Sequence, residues 1–528
     1  MKTLICDALP EHIVDQLQAI ERIELLEKDN EHLIQQIKEQ ANIVIVRSAT
    51  QLDAELLNQC KHLQLIVRAG MGTDNIDIVA ATQKGIAVMN TPAKNANAAA
   101  ELSVALMFAC SRHVPQANQK MKLGEWDRKS FMGYELMGKT LAILGFGNVG
   151  RAVAKKALAL GMKVLAYDPY IAKESMDKLG VIKLNLDEAL EQADVVSLHL
   201  ALTEESYHIL NHEKLMTMKK NAILINTARG GLIDEKALVT VMQKGHLYAV
   251  GLDVYEQEPL EKDSPLLQLA NLIVLPHLGA SSYEAQNNVG LAVVEQLKVY
   301  LEKDLVVNGV NVPAILPESF LKLGKLLDLS EKMASMLSQT IKDPLQSINV
   351  AFSGSLSNED QMALKASALV GALRPVCQDS INFVNAELQA QKRDIHSSIT
   401  AYADSIDYTH WIKIELMTTG QTKYCVEGAL LGQKQLKVVS WNGYDLEIEP
   451  KGHMLIIENQ DQPGNLAAWA TLIGQEGINI EELCLSSTKK DSDLAVSIVR
   501  MNQALSKECL SSILDLSMVH SVASVNVP

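Results

Sequence analysis

The feature that most constrains this chain is Gly145-Phe146-Gly147-Asn148-Val149-Gly150, three glycines set between an apolar strand and a helix. Thr140-Leu141-Ala142-Ile143-Leu144 runs directly into Gly145, and apolar residues at Val153, Ala154, Ala157, Leu158 and Leu160 give a helix that stops at Gly161. In that setting Gly145 permits a tight turn and Gly147 lets the backbone approach a pyrophosphate. Gly150 lets the helix pack on the strand, with its N-terminal N–H groups toward the phosphates. Asn148 and Val149 share the turn and are taken as cofactor contacts. The next strand ends in Asp168, at the distance expected for a carboxylate that binds the adenosine ribose hydroxyls. Its charge repels a 2′-phosphate and no arginine follows nearby, so NAD is expected rather than NADP.

Short apolar runs alternate with helical stretches up to about residue 285. Candidate strands are Thr3–Cys6, Ile23–Leu26, Ile43–Arg47, Leu65–Arg68, Ala87–Met89, Thr140–Leu144, Lys163–Tyr167, Val195–Leu198, Ala222–Ile225, Ala249–Leu252 and Leu272–Leu275. Continuous rather than alternating apolar runs suit parallel strands buried on both faces, hence doubly wound α/β units. The glycine run falls halfway along this region, so a separate α/β unit precedes the nucleotide unit. A helix from Asn95 to about Arg112 would join the two, and one from about Glu284 to Leu301 would carry the chain back, making the first unit discontinuous.

At 528 residues the chain is too long for one core, and three or four domains are expected. The net charge of -15 argues against nucleic acid or an anionic membrane as main partner. Seven dispersed cysteines form no CxxC pair and no zinc spacing, so reduced thiols and no metal site are expected. The N-terminus lacks a signal-peptide pattern and no apolar run reaches membrane-span length; a soluble, cytoplasmic protein is expected.

Three residues lie just past strand ends, where an α/β fold places its chemistry: Arg229 in Asn226-Thr227-Ala228-Arg229-Gly230-Gly231, Glu258 in Leu252-Asp253-Val254-Tyr255-Glu256-Gln257-Glu258-Pro259, and His277 in Pro276-His277-Leu278-Gly279. Each alone reads as a turn or surface residue. Together with the glycine run, in this order, they resemble the D-2-hydroxyacid dehydrogenase family. The resemblance implies Arg229, Glu258 and His277 as the catalytic set and places Thr227, Ala228, Asp253, Gly279 and Ala280 against the cofactor. A neutral imidazole suits the base, a carboxylate suits the group that orients it, and an arginine suits a substrate carboxylate.

The resemblance is strongest to the long branch of that family, which acts on D-3-phosphoglycerate at the entry to L-serine synthesis. Matching segments are Val46-Arg47-Ser48-Ala49-Thr50, Arg68-Ala69-Gly70, Asn90-Thr91-Pro92 and Asn95. They imply Arg47, Ser48, Gly70 and Asn95 as contacts to a phosphorylated hydroxy acid, with Arg68 a further candidate. Trp126, Arg128 and Phe131-Met132-Gly133 resemble the segment that serves the subunit interface. Two positions depart from the family pattern: Met71 and Leu200 stand where hydroxyl residues often touch the cofactor.

Beyond Pro313 the pattern changes to helix Leu321–Leu337, an alternating run at 348–354 expected as a half-exposed strand, then mixed α+β. From His453 the order is βαββαβ, that of a ferredoxin-like domain. Asn459-Gln460-Asp461-Gln462-Pro463-Gly464 with Gly477-Ile478-Asn479 resembles an ACT domain, which implies Asp461 and Asn479 as contacts to an L-serine effector across a dimer interface. Ser353-Gly354-Ser355-Leu356, Val384-Asn385-Ala386 and Val426-Glu427-Gly428 resemble the long branch's intervening domain and imply a homo-oligomer, tetramer or dimer. The expected architecture is a Rossmann-like domain inserted in a flavodoxin-like one, followed by two α+β domains. Its segments are 1–93, 94–284, 285–315, 316–450 and 451–528. Rival readings are a glyoxylate or hydroxypyruvate reductase, which normally ends near the position of Asn311, and an NAD-sensing binding protein, against which the effector-type tail counts.

Overall fold

The computed structural model describes residues 1–313, 320–377, 380–402, 408, 410–432, 435–487 and 493–527. The boundary expected at residues 315–316 lies outside them. Five strands, β1 (Lys2–Ile5), β2 (Glu24–Leu25), β3 (Ile43–Val46), β4 (Leu65–Arg68) and β5 (Ala87–Asn90), form a parallel sheet in the order β2-β1-β3-β4-β5. Because successive side chains alternate faces, each continuous apolar run feeds two cores. Ile43, Ile45, Leu65 and Val67 pack with Ile13 and Leu17, while Val44, Val46 and Ile66 pack with Ile37, Leu52 and Leu57.

The 21-residue helix Tyr283–Lys303 lays Val289, Val293 and Leu297 on the first of these faces. The chain then closes on β5, where Val310 N donates to Val88 O and Asn311 Oδ1 accepts from Val88 N. The first lobe is thus built from both ends of the catalytic region, and a long apolar stripe on one helix is what returns the chain.

The second sheet holds β6 (Thr140–Leu144), β7 (Lys163–Tyr167), β8 (Ile182–Lys183), β9 (Val195–Leu198), β10 (Ile223–Asn226), β11 (Ala249–Leu252) and β12 (Leu272–Val274). All pairs are parallel, in the order β12-β11-β10-β9-β6-β7-β8. Strand order reverses between β6 and β9, which opens a crevice at their carboxyl ends where doubly wound folds bind ligands. The Ala96–Arg112 helix covers one face with Leu106, Met107 and Cys110. β8, only two residues long, has no counterpart among the expected strands.

After the Phe320–Ser338 helix come β13 (Leu345–Ser353), β14 (His396–Tyr402), β15 (Trp411–Thr418), β16 (Lys423–Leu431), β17 (Gln435–Trp441) and β18 (Tyr444–Ile448), in the order β14-β13-β15-β16-β17-β18. β13 pairs parallel with β14, and the other pairs are antiparallel. β13 is not half-exposed throughout: its last four residues, Val350 to Ser353, are all buried. The last unit is β19 (Gly452–Gln460), β20 (Ile480–Ser486), β21 (Leu494–Met501) and β22 (Val519–Val527), in antiparallel order β20-β21-β19-β22 with two helices.

One face of this last sheet, Leu455, Ile457, Val499 and Met501, packs on Trp469, Ile473 and Ile513 of its own helices. The other face, Met454, Ile456, Val496, Ile498, Val525 and Val527, joins a single core with Leu329, Met333, Trp441 and Tyr444 of the preceding unit. That C-terminal pair touches the first lobe where Asn382 Nδ2 donates to Gly85 O at 2.8 Å and Val384 packs on its core. No helix among the described residues is long and apolar enough to cross a membrane.

Candidate active site

The three glycines after β6 differ in what surrounds them. Gly145 has φ +98°, and a Cβ there would lie 2.6 Å from the carbonyl carbon of His199, so the turn needs glycine for both conformation and space. A Cβ on Gly150 would come 2.1 Å from Gly145 O, which is how closely the Asn148–Ala159 helix approaches the turn. Gly147 has open space where its Cβ would be, directly before the helix's first N–H groups. An open cradle at a helix N-terminus beside a strand-order reversal fits a dinucleotide pyrophosphate.

Asp168 is only 8% exposed and already holds three backbone groups. Its Oδ2 accepts from Phe146 N at 2.8 Å, and its Oδ1 accepts from Tyr170 N at 2.9 Å and Ile171 N at 3.2 Å. It therefore pins the glycine turn to the end of β7, with carboxylate lone-pair capacity left for a ribose hydroxyl. Thr227, after β10, is buried, with Oγ1 2.7 Å from Ser103 Oγ. Ser103 donates its one hydroxyl proton to Ala99 O at 2.7 Å, so Thr227 is the donor between them.

The three catalytic candidates sit past β10, β11 and β12, which are neighbours in the sheet and end at the same edge. His277 has φ +55° and donates its backbone N–H to Asp253 O at 3.0 Å. Its Nδ1 is 2.7 Å from Glu258 Oε2, while Glu258 Oε1 accepts from Tyr255 N at 3.1 Å. With Nδ1 engaged by the carboxylate, Nε2 is the atom free to exchange a proton. The hydrogen bond to Glu258 raises the His277 pKa above the ordinary imidazole range, more than burial lowers it. Burial works to raise Glu258, but His277, the Tyr255 N–H and Arg229 bring it below the usual carboxylate range.

Asp253 is fully buried, and its two oxygens accept from Leu278 N at 2.7 Å and Gly279 N at 2.8 Å. Burial pushes its carboxyl up despite these bonds. It staples the His277–Gly279 turn to the β11 end. Ala280 follows, half-buried.

Asn226 holds the arginine turn, accepting from Ala228 N at 3.0 Å and donating to Arg229 O at 2.8 Å. The next residue shows why glycine is needed there: a Cβ on Gly230 would overlap Tyr255 C at 1.8 Å. Arg229 thus lies hard against the segment that carries Glu258.

In the first lobe, Asp7 organises the loop after β3 by accepting from Arg47 N at 2.5 Å and Thr50 Oγ1 at 2.7 Å. Arg47 Nη1 donates to Ala8 O at 3.3 Å, and Ser48 is exposed. Gly70 is buried beside the Arg68 guanidinium, which burial pulls down to about 10, with Arg47 and Arg229 acting in the same sense. Asn95 precedes the Ala96–Arg112 helix without using its side chain as a cap.

Two residues that sequence reasoning did not single out belong to this arrangement. Asp74 accepts from Arg229 Nε at 2.9 Å, and Ser103 meets Thr227. Neither carries a local signal, since their partners are 155 and 124 residues away. Of the two departures, Met71 is exposed and its carbonyl accepts from Asn90 Nδ2 at 2.7 Å, whereas Leu200 packs against the nucleotide-lobe core.

Asp461 and Asn479 are not brought together within one chain. Asp461 N donates to Asp493 O beside one end of β21, and Asn479 N donates to Asn502 Oδ1 beside the other. An eight-residue strand separates them, roughly 25 Å.

Residues 104–279 match the family model described as D-isomer specific 2-hydroxyacid dehydrogenase, NAD binding domain, and residues 322–442 match the D-3-phosphoglycerate dehydrogenase intervening domain. The chain is 37% identical to the D-3-phosphoglycerate dehydrogenase of Methanocaldococcus jannaschii over 100% of both chains. It is 33% identical to that of Synechocystis, over 100% of this chain and 95% of the relative. Among solved structures, the TT0316 protein of Thermus thermophilus aligns at TM-score 0.54 and 36% identity, covering 59% of this chain and 100% of that one. A D-lactate dehydrogenase from Aquifex aeolicus, complexed with NAD and lactic acid, aligns at TM-score 0.51 and 29% identity, covering 58% and 96%. With the NAD-binding lobe, the intervening unit and full-length relatives all agreeing, the chain belongs to the D-3-phosphoglycerate dehydrogenase family of NAD-dependent D-2-hydroxyacid dehydrogenases.

Proposed function

We propose that the chain oxidises D-3-phosphoglycerate at C2 to 3-phosphohydroxypyruvate, the first step of L-serine biosynthesis. The observation that carries this reading is the His277–Glu258 pair, 2.7 Å apart, beside the Arg229 turn at the carboxyl edge of the nucleotide sheet. Arg229 binds the substrate carboxylate and polarises the C2 oxygen. Arg47, Ser48, the Gly70 backbone and Asn95 hold the far end, where a basic cluster suits a phosphate.

His277 Nε2 takes the hydroxyl proton as hydride leaves C2, and Glu258 stabilises the imidazolium that forms. In the reverse direction the same imidazolium returns the proton to the ketone oxygen. NAD, when bound, supplies the hydride acceptor. Gly145, Gly147, Asn148, Val149, Gly150 and Asp168 would hold its adenosine and pyrophosphate half. Thr227, Ala228, Asp253, Gly279 and Ala280 would hold its nicotinamide half, with Thr227 presenting an oxygen whose proton is already committed to Ser103.

The same reading takes residues 1–93 with 285–315 as the substrate-binding domain, 94–284 as the NAD domain, 316–450 as the intervening domain and 451–528 as an ACT domain. It takes the protein as a cytoplasmic homo-oligomer, tetramer or dimer, regulated by L-serine. Exposed Leu123 (71%), Trp126 (77%) and Met132 (84%), on one arm, support a subunit interface there. Asp461 and Asn479, at opposite ends of one sheet, can meet around one effector only when two copies pair. Seven free thiols support a reducing compartment.

The test is NADH formation at alkaline pH with D-3-phosphoglycerate, beside D-lactate and D-glycerate. Phosphoglycerate-dependent turnover well above both controls is expected; silence in this direction and in the coupled reverse assay overturns the substrate assignment. Addition of L-serine is expected to slow the working enzyme, and an unchanged rate and thermal stability would remove the effector.

A further inference from the structure

We infer that Asp74 is a positioning residue for Arg229, fixing the guanidinium before the substrate carboxylate arrives; the inference rests on the role given to Arg229 above. The pair joins the loop after β4 to the turn after β10, so it crosses the cleft from one lobe to the other. Arg229 Nε donates to Asp74 Oδ2 at 2.9 Å, and Nη1 donates to Ala228 O at 2.7 Å. A guanidinium has five N–H groups, so three stay available, two of them on Nη2. That is sufficient for a bidentate carboxylate.

Gly72 shows that the loop is shaped around this pair. A Cβ at Gly72 would lie 2.0 Å from Arg229 Nη2 and 2.8 Å from Asp74 Oδ2. Gly72 is not among the glycines with positive φ, and a side chain there would push the guanidinium end of Arg229 aside. The loop is also braced from β5: Asn90 Nδ2 donates to Met71 O at 2.7 Å, and Thr91 N donates to Gly70 O at 3.0 Å. Asp74 is thus presented from a held backbone.

Electrostatics point the same way. Arg47 and Arg229 are near enough for their charges to be felt at Arg68, where Asp7 and Asp74 oppose them. Asp7 is occupied with the Arg47–Thr50 loop. Asp74 is the carboxylate that contacts Arg229. The Asp74 side chain is 65% exposed, so the pair contributes little to folding, and its consequence is orientation.

The experiment uses the full-length protein with Asp74→Asn, Asp74→Glu, Arg229→Gln and the double variant Asp74→Asn/Arg229→Gln. KM and kcat for D-3-phosphoglycerate, KM for NAD and the melting temperature are measured for each. Asp74→Asn is expected to raise the hydroxy-acid KM roughly tenfold. The NAD KM should not change, and the melting temperature should stay within about 2 °C. Asp74→Glu, which keeps the charge, should recover part of the loss, and Asp74→Asn should add nothing in the Arg229→Gln background. A hydroxy-acid KM within twofold of the parent overturns the inference, as does the same fold-loss in both backgrounds. An Arg229→Gln variant with parental turnover overturns the role of Arg229 itself, and the Asp74 inference with it. An impaired Arg229→Gln beside a normal Asp74→Asn overturns only the latter.

Discussion

The cleft between the two catalytic lobes and the seam between the two C-terminal units are both contacts between separately folded sheets, yet they are built from opposite materials. Each catalytic lobe keeps its own cores on the two faces of its sheet. The side-chain contact at the cleft mouth, Arg229 with Asp74, is a partly exposed ion pair. At the seam, six side chains of the last sheet are buried in the core of the unit before it. A fully buried aliphatic side chain contributes about 1.5–3 kcal/mol, an exposed ion pair about 0–1. The seam therefore holds the C-terminal units as one body. The ion pair at the cleft offers little resistance to a change in lobe separation, which substrate entry and water exclusion would use.

This contrast implies that substitutions in the cleft cost rate and spare stability, and that substitutions at the seam do the reverse. The largest expected effect is on rate. His277→Ala should lower kcat by about 10²–10⁴-fold, the range for loss of a general base, with the melting temperature nearly unchanged. Stopped-flow NADH formation checks the first, calorimetry the second, and near-parental turnover would remove His277 from the chemistry.

Next comes Ile498→Ala, on the seam face of β21. It should cost about 2–5 kcal/mol while leaving kcat/KM intact. Hydrogen exchange separates one body from two: amides of β13–β18 and of β19–β22 should lose protection together. Loss confined to the last sheet would show that the seam does not couple them.

A smaller effect sharpens the cleft side. With His277 as the proposed base, oxidation needs the neutral imidazole, and its pKa is raised first of all by the Glu258 hydrogen bond. Oxidation should then be full above that raised pKa and fall as pH drops through it, while reduction, which needs the imidazolium, is lost as pH rises. Glu258→Gln should lower kcat by about 10²-fold and move the acid limb to lower pH. A limb that stays in place in the kcat/KM profile would mean that Glu258 does not set the imidazole's charge.

How much of this could be read from the sequence follows the same division. β6, β7, β9 and β11 have the bounds expected for them, because a strand buried on both faces carries a nearly continuous apolar run, interrupted here only by Thr140 and Lys163 at strand starts and by Ser197. That Arg229, Glu258 and His277 come together was legible because each lies shortly past such a run, and adjacent strand ends gather them. Asp74 was not, because an ion pair between loops 155 residues apart leaves no local pattern. The three backbone bonds of Asp168 were hidden behind the expectation of a ribose contact. The seam was half-legible: Met454-Leu455-Ile456-Ile457 announces burial on both faces of β19 but not what covers each face.

The smallest effect tests whether the polar rim of the seam matters at all. Lys437 Nζ on β17 lies 3.3 Å from Glu482 Oε1 on β20, and both side chains are partly exposed. Beside it, Arg500 Nη1 reaches Glu482 at 2.9 Å and Glu449 at 3.2 Å, so Glu482 keeps a cationic partner when Lys437 is removed. Lys437→Ala should therefore cost only about 0.2–1 kcal/mol, falling toward zero in high salt. Denaturant melts of the parent and variant at low and high ionic strength decide it. A loss approaching that of Ile498→Ala, and insensitive to salt, would mean that the seam is held by its charges and not by the six apolar side chains beneath them.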